Sequence, residues 1–304
     1  MRTVQVLMST YNGGNNIIKQ VNSIQKQKNV KVLLTIRDDG SNNETLDVLR
    51  TLEKKYENTT IIYGENIGYK KSFLTLLSKR NKNNIDYYAF SDQDDIWDEN
   101  KLNTAVNMLD KETNKVKLYT SSLSIYNENM EYVKKSDISS TPNNIYSFFT
   151  RNRYAGCTYV FSERLAELSS NYEKLRFKNP EMPEHDFLVG AFAYAFGIVI
   201  IDSESYIKHI RYPSSVTSGG NGIKKRIQVE LFNTFKRKDT RQHMAEILIN
   251  NDEKISSNKI FQYLELVRDY KSKIKSKVQL ARYMDCGNTV GNVEAAIKVL
   301  IGNF

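Results

Sequence analysis

The chain is poor in cysteine, and the two it has, Cys157 and Cys286, stand far apart, so neither a disulfide framework nor a cysteine-built zinc site is indicated. Histidine is also scarce, at three residues, and tryptophan occurs once. No apolar run is long enough to cross a bilayer. The longest, Phe187 to Ile201, is about 15 residues with two glycines inside it, against the ~20 residues a spanning helix needs. It reads instead as a buried helix followed by a strand. The apolar run in Met1 to Met8 is about six residues, too short for a signal-peptide core, and a cytoplasmic location is expected. Low-complexity tracts and solenoid-period repeats are absent, which excludes fibrous and repeat architectures.

What is there is the composition of a globular protein of 304 residues, 40% hydrophobic and 26% charged. Its charge is uneven. Residues 223–304 hold 16 Lys+Arg against 9 Asp+Glu, which is +7 of the chain's +9. The basic character therefore belongs to the C-terminal region.

The densest chemistry lies at Ser91-Asp92-Gln93-Asp94-Asp95-Ile96-Trp97, where three carboxylates fall within four positions directly after the apolar run Ile85 to Phe90. Carboxylates packed at the end of a buried strand are costly unless a cation sits among them. Their oxygens are the hard ligands that Mg²⁺ and Mn²⁺ take, often shared with substrate phosphates. A metal–diphosphate site is one reading; a solvated helix cap is the other.

Periodicity places this turn in a larger pattern. Strands are predicted at 3–8, 30–37 and 59–63 and again into the acidic turn, with helices at about 15–27, 45–56, 70–79 and 99–109 between and after them. Strand–helix alternation implies a largely parallel sheet covered on both faces. Ligands bind such sheets at the carboxyl ends of strands. Four successive strand ends here carry Ser9-Thr10-Tyr11-Asn12-Gly13-Gly14, Asp38-Asp39-Gly40-Ser41, Gly64-Glu65-Asn66-Ile67-Gly68 and the acidic turn. Further on, strands are expected at Val116–Tyr126, Tyr154–Phe161, Ile198–Asp202 and Tyr206–Tyr212, with a helix from Ser162 to about Glu173. A boundary near the Gly-rich 218–222 divides the chain into residues 1–222 and a helical region 223–304. There Ile227, Leu231, Phe235 and then Leu264, Val267, Tyr270, Ile274 and Val278 recur at helical spacing.

With these residues in view, the chain resembles the family 2 glycosyltransferases of GT-A fold. The matching segments, in the family's order, are Met8 to Gly13, Arg37 to Ser41, Asn66-Ile67-Gly68, Ser91 to Trp97, Ala155-Gly156-Cys157-Thr158 and His185-Asp186. The combination is most similar to bacterial rhamnosyltransferase-type enzymes that build cell-surface glycans. The resemblance implies an α/β GT-A catalytic domain over residues 1–222. It also implies inverting transfer from a UDP- or dTDP-sugar to a hydroxyl of a glycan, a lipid-linked glycan or a glycoprotein, assisted by Mn²⁺ or Mg²⁺.

By the same resemblance Asp186 is the base, with Glu184 as the fallback and His185 as an orienting residue. Thr10 and Tyr11 line the nucleotide pocket, Asp39 reads the N3–H of uracil or thymine with Asp38 as the alternative, and Gly68 lets the backbone approach the ligand. Asp92 lies on the ribose or metal side. Asp94 is the first choice as metal ligand, Asp95 a second ligand or an orienting group, and His209 a metal or diphosphate contact. The family's Tyr-Arg-x-His segment reads Tyr206-Ile207-Lys208-His209 here, which departs from the pattern at its second position. A loop at 214–222 is expected to close over bound donor.

Two other enzyme or binding classes fit less well. A sugar nucleotidyltransferase would carry a basic residue in the loop after the first strand, and Ser9 to Gly14 has none. A non-catalytic scaffold would have lost the acidic turn or Asp186, and both are present. The tail is expected to pack as two or three helices on the catalytic domain or on a second subunit. Its Lys271, Lys273, Lys275 and Lys277 form a stripe suited either to solvent or to anionic lipid at a membrane surface. It carries no nucleic-acid binding pattern.

Overall fold

A computed structural model describes residues 1–170, 182–212 and 239–304. The expected loop at 214–222, the boundary at 222/223, the end of the helix expected to Glu173 and the positions Ile227, Leu231 and Phe235 lie outside the described residues. The chain divides into two compact units: 1–139 with 154–172 and 198–211, and 140–153 with 173–197 and 212–304.

The first unit is built on a nine-stranded sheet. Strands β1 (Arg2–Thr10), β2 (Val30–Asp38), β3 (Thr59–Tyr63) and β4 (Tyr87–Ser91) alternate with helices α1 (Asn16–Gln25), α2 (Asn43–Lys55) and α3 (Tyr69–Ser78). They pair in parallel in the order β3-β2-β1-β4. Val4, Val6, Met8, Leu34, Ile36, Tyr87 and Ala89 are core residues on these strands. Helix α1 buries Ile17, Gln20, Val21 and Ile24, an i, i+3, i+4, i+7 face. Helix α2 starts where it does because the Asn42 side chain accepts from the Thr45 N–H at 3.0 Å.

After the acidic turn come a two-residue strand β5 (Ile96–Trp97), helix α4 (Lys101–Asp110), and strands β6 (Lys117–Asn127) and β7 (Tyr132–Ser136). Strand β8 (Val160–Ser162) and helix α6 (Glu163–Ser169) also belong to this unit, as does β9 (Ile198–Arg211). The sheet continues β4-β8-β6-β9-β5, with β8 antiparallel to both its neighbours, β9 parallel to β6 and β5 antiparallel to β9. The register Ile96↔Lys208 brings the far end of β9 beside the acidic turn.

The second unit, among the described residues, is helical. It comprises α5 (Ile145–Thr150), α7 (His185–Phe196), α8 (Thr240–Ile249), α9 (Asn258–Asp269), α10 (Ile274–Ala281) and α11 (Thr289–Leu300). Helix α7 is buried nearly all round, so it needs cover on several sides. The Phe148 ring of α5 stacks on Phe187 at 5.4 Å and occupies the space a side chain at Gly190 would need. This unit draws α7 together with the C-terminal helices, whereas the sequence suggested a single cut near residue 222.

Three local expectations change. Tyr154–Phe161 is a strand only from Val160. Before that, the Ala155 carbonyl accepts from the Thr158 N–H at 2.9 Å and its hydroxyl at 2.7 Å, which closes a 3₁₀ turn over Gly156–Thr158. The two strands expected at 198–202 and 206–212 are one continuous β9. The apolar spacing from Leu264 to Val278 crosses a break, a 3₁₀ turn at Tyr270–Ser272 and an extended Lys273 (φ −144°, ψ 145°). Leu264, Val267 and Tyr270 are buried, while Ile274 and Val278 are exposed.

Candidate active site

Parallel pairing sets the strand ends side by side: Thr10 lies opposite Asp38, Met8 opposite Ser91, and Asp38 opposite Tyr63. Side-chain bonds then tie the turns together. The Thr10 hydroxyl donates to Gln93 Oε1 at 2.6 Å, and the Tyr11 N–H donates to the same oxygen at 3.0 Å. The Asn12 N–H donates to Ser41 Oγ at 2.9 Å. Thr10 is buried, and Tyr11 is 48% exposed beside it.

The two aspartates after β2 do different things. Asp39 is buried and pairs with the Arg37 guanidinium. It also accepts the N–H groups of Ile67 at 3.0 Å and Gly68 at 2.9 Å, clamping the β3–α3 loop. Gly68 holds φ at 82° with open space around its Cα, so backbone freedom explains its presence. Asp38 accepts the N–H groups of Gly40 and Ser41 through Oδ2, while its buried Oδ1 has no hydrogen-bond partner. The unspent acceptor capacity thus lies on Asp38, although Asp39 was the expected base reader.

The acidic turn folds against β9 and the 3₁₀ turn. One donor atom from each of Asp92, Asp95, Cys157 and His209 lies within 4.8 Å of all the others. Asp95 is 0% exposed; its Oδ1 accepts from His209 Nδ1 at 2.8 Å, and its Oδ2 has no partner. Asp94 stands outside this set of four but shares its field. Burial, then the charge of Asp95, pushes the Asp94 carboxyl up to about 6. Burial and the charges of Asp95 and Asp94 push Asp92 up to about 7. Burial works against a charged His209, but the bond to Asp95 and the charges of Asp95, Asp92 and Asp94 outweigh it and raise the imidazole to about 9. Burial, reinforced by Asp95 and Asp92, holds the Cys157 thiol protonated.

A divalent cation fits this set. Two carboxylates and an imidazole are suitable donors, and an orphaned carboxylate oxygen in a dry site is costly without a positive partner. The Asp95–His209 bond also fixes the ring and leaves Nε2 for another contact, a carboxylate–histidine pairing common beside metals.

Three residues that the sequence reading did not assign complete the site. Gln20 of α1 is fully buried. With its amide turned to suit its neighbours, it donates to the Asp95 carbonyl and accepts from Trp97 Nε1 at 3.1 Å. Lys101, at the start of α4, is also fully buried, its ammonium 3.8 Å from the centre of the Trp97 ring. Burial lowers it to about 7, against the pull of Cys157 and Asp95. The third is Cys157. A polar residue on the apolar stripe of α1 was a visible signal for Gln20, and the family-matching segment Ala155 to Thr158 marked Cys157 without a role; for Lys101 the sequence held no signal.

Asp186 belongs to the second unit. It sits in the first turn of α7, half-buried, and its Oδ1 accepts from the Phe187 N–H at 2.6 Å. Burial depresses the neighbouring His185 to about 4, so that ring is neutral at ordinary pH.

Comparison with known proteins follows the same lines. The sequence profile of "Glycosyl transferase family 2" matches residues 5–165. A dTDP-rhamnosyl transferase RfbG of Shigella flexneri is 30% identical over 197 residues, 62% of this chain and 64% of that protein. An Escherichia coli UDP-Glc:alpha-D-GlcNAc-diphosphoundecaprenol beta-1,3-glucosyltransferase, WfgD, is 28% identical over 166 residues, 53% of this chain and 60% of the relative. The matched segment is thus under two-thirds of either relative's length. Among solved structures, S. aureus TarS 1–349 in complex with UDP-GlcNAc superposes with a TM-score of 0.60 at 14% identity, covering 99% of this chain and 91% of that one. The mannosyltransferase PcManGT from Pyrobaculum calidifontis, in complex with GDP-Man and Mn²⁺, gives 0.54 at 14% identity over 99% and 76%. At these identities the likeness is one of fold.

Proposed function

The chain belongs to glycosyl transferase family 2, and from that premise we propose that it moves a sugar from a UDP- or dTDP-linked donor to a hydroxyl of a bacterial surface glycan, lipid-linked glycan or glycoprotein, with inversion at the transferred carbon. One observation carries the reading. The unpartnered oxygen of buried Asp95 belongs to a cluster with Asp92, Cys157 and His209, at the strand ends where the nucleotide-facing turns converge.

In this reading Asp92, Asp94, Asp95 and His209 would hold Mn²⁺ or Mg²⁺ beside the donor diphosphate, Asp95 through its unpartnered oxygen, Asp94 as a further direct ligand and His209 through the ring nitrogen left free by its bond to Asp95. When bound, the ion supplies charge stabilisation for the departing diphosphate. Thr10 and Tyr11 form the wall for the nucleoside, with Tyr11 offering an exposed ring. The free Oδ1 of Asp38 accepts the N3–H of uracil or thymine, and Asp39 holds the loop that carries Gly68. Asp186 takes the acceptor proton, a role proposed from its place in the His185-Asp186 pair at the head of α7. A rhamnosyl donor is preferred because of the likeness to the Shigella flexneri dTDP-rhamnosyl transferase.

Calorimetry with UDP, dTDP, GDP and ADP, each with and without Mn²⁺, tests the donor site. Metal-enhanced binding of UDP or dTDP, abolished in Asp94→Ala, is expected. Binding of none of the four, or Mn²⁺ dependence unchanged by Asp94→Ala, would overturn the assignment. Asp186→Asn should retain donor binding and lose transfer, because a base acts mainly in the transition state. Near-normal turnover in that variant would move the role to Glu184 or elsewhere.

A further inference from the structure

Helices α10 and α11 form a hairpin in the second unit. Lys277 Nζ donates to the Leu300 carbonyl at 3.2 Å, so the start of one helix lies beside the end of the other. Helix α11 is apolar on two sides. Gly291, Ala295 and Val299 face inward. Val290, Val293, Ile297, Leu300 and Ile301 face outward, with Val290 79% and Ile301 61% exposed. At 100° per residue these five outward residues fall within an arc of about 100°. Helix α10 adds Ile274, 81% exposed, and Val278. A helix that merely bounds a globular unit turns charged and polar residues outward; this one turns branched aliphatic residues outward as a contiguous stripe, the mark of a surface with a partner.

The charge beside the stripe identifies the partner. From Lys271 to Phe304 there are six basic residues against two acidic ones. Lys271 is paired with Asp239, and Lys298 with Glu294. Lys273 and Lys275 are exposed next to Ile274 and enter no ion pair among the described residues. Exposed aliphatic side chains on both helices of the hairpin, with unpaired lysines on either side of Ile274, match a bilayer surface, where aliphatic side chains enter the acyl boundary and ammonium groups meet anionic headgroups. A second copy of the chain would bring the same lysines against each other, a like-charge contact that works against closure. We propose that the α10–α11 hairpin is a docking face for a membrane surface rich in anionic lipid. No helix of the described residues is long and apolar enough to cross a membrane, so the contact is one of lying on the surface.

The full chain is sedimented with vesicles of phosphatidylcholine alone or mixed with phosphatidylglycerol, at low and high salt. Binding to the mixed vesicles, weakened by salt, is expected. Val290→Ser/Val293→Ser/Ile297→Ser should abolish it, and Lys273→Gln/Lys275→Gln should weaken it on the order of fivefold per lysine removed. Circular dichroism checks that both variants keep their helices. Failure of the parent chain to bind mixed vesicles, or equal binding by parent and both folded variants, overturns the proposal. So does an oligomer, seen by ultracentrifugation, that the serine variant dissolves, since a second copy then covers the stripe. UDP and dTDP binding, measured on the same samples, keeps this result separate from the catalytic reading: either can fail alone.

Discussion

In the acidic turn and its surroundings the chain buries charge: Asp95, Lys101, Arg37 and Asp39 are all within a few per cent of complete burial. In the C-terminal hairpin it does the reverse and turns Ile274, Val290 and Ile297 out to solvent. Both placements run against the ordinary sorting of polar and apolar residues, and they differ in how far the protein itself compensates. Arg37 and Asp39 answer each other, and Asp95 is half answered by His209. The hairpin stripe is not covered by any described residue. The difference teaches where a proposal can rest: the Arg37–Asp39 pair is answered within the chain and reads as structure, whereas the free oxygen of Asp95 and the uncovered hairpin stripe are what the two proposed readings stand on.

The largest expected effect tests the compensated end of that scale. Asp39→Asn leaves the Arg37 guanidinium buried without its carboxylate and should cost about 3–5 kcal/mol of stability in a urea titration. Asp38→Asn should leave stability nearly intact and weaken UDP or dTDP binding. If the two variants exchange phenotypes, Asp39 is the base reader after all.

Protons are the second handle. Between the ordinary carboxylate range and about 6–7, the folded chain keeps protons on Asp94 and Asp92 that the unfolded chain has released. From 6.5 to about 9 the same holds for His209. The folded state binds more protons throughout, so this cluster's contribution to stability is present at acid pH and lost as pH rises. A bound cation takes the protons' place. Mn²⁺ at ~100 times its Kd at about pH 8 should therefore stabilise the fold by roughly 2.7 kcal/mol there, and the same Mn²⁺ concentration should stabilise it less at about pH 5.5, read from the unfolding midpoints. An equal or larger shift at acid pH would remove these carboxylates from the site.

Smaller effects follow. Lys101→Met replaces a buried ammonium by an apolar chain of similar length and should raise stability by about 1 kcal/mol, read by thermal unfolding. The triple serine variant of α11 should change stability by under ~0.5 kcal/mol per substitution, since those side chains are already exposed. A large loss there would mean that the stripe is packed in solution.

The parallel half of the sheet was legible because each of its strands ends in a distinctive turn, and α1 to α4 carry regular apolar spacing. The conformation of the segment around Cys157 was not, although Ala155 to Thr158 matched the family by type. Its Tyr154 to Phe161 run looks like any buried strand, and only the Ala155–Thr158 hydrogen bonds divert it into a turn that places the thiol beside Asp95. His209 was picked out through the family resemblance, but the reason it reaches the acidic turn, the antiparallel register of Lys208 with Ile96, is a long-range pairing that no local pattern encodes. Similarly, helical spacing ran unbroken through Tyr270 to Val278, and sequence alone could not reveal that the chain turns there and presents Ile274 and Val278 to solvent. The family segments at Thr10, Asp38-Asp39 and Asp92 to Asp95 were recognised as types; which oxygen of which aspartate remains free is a matter of packing.

Gln93 has a further consequence. Its side-chain oxygen is the common acceptor for the Thr10 hydroxyl and the Tyr11 N–H, while its backbone is part of the acidic turn. One amide therefore joins the wall offered to a nucleoside and the carboxylates offered to a cation. In the proposed reading, ordering either turn would restrict the other, so occupancy of the two halves would be thermodynamically linked, and the factor by which cation tightens nucleoside would equal the factor by which nucleoside tightens cation. Shortening that link, as in Gln93→Ala, should leave both halves standing while reducing this mutual factor.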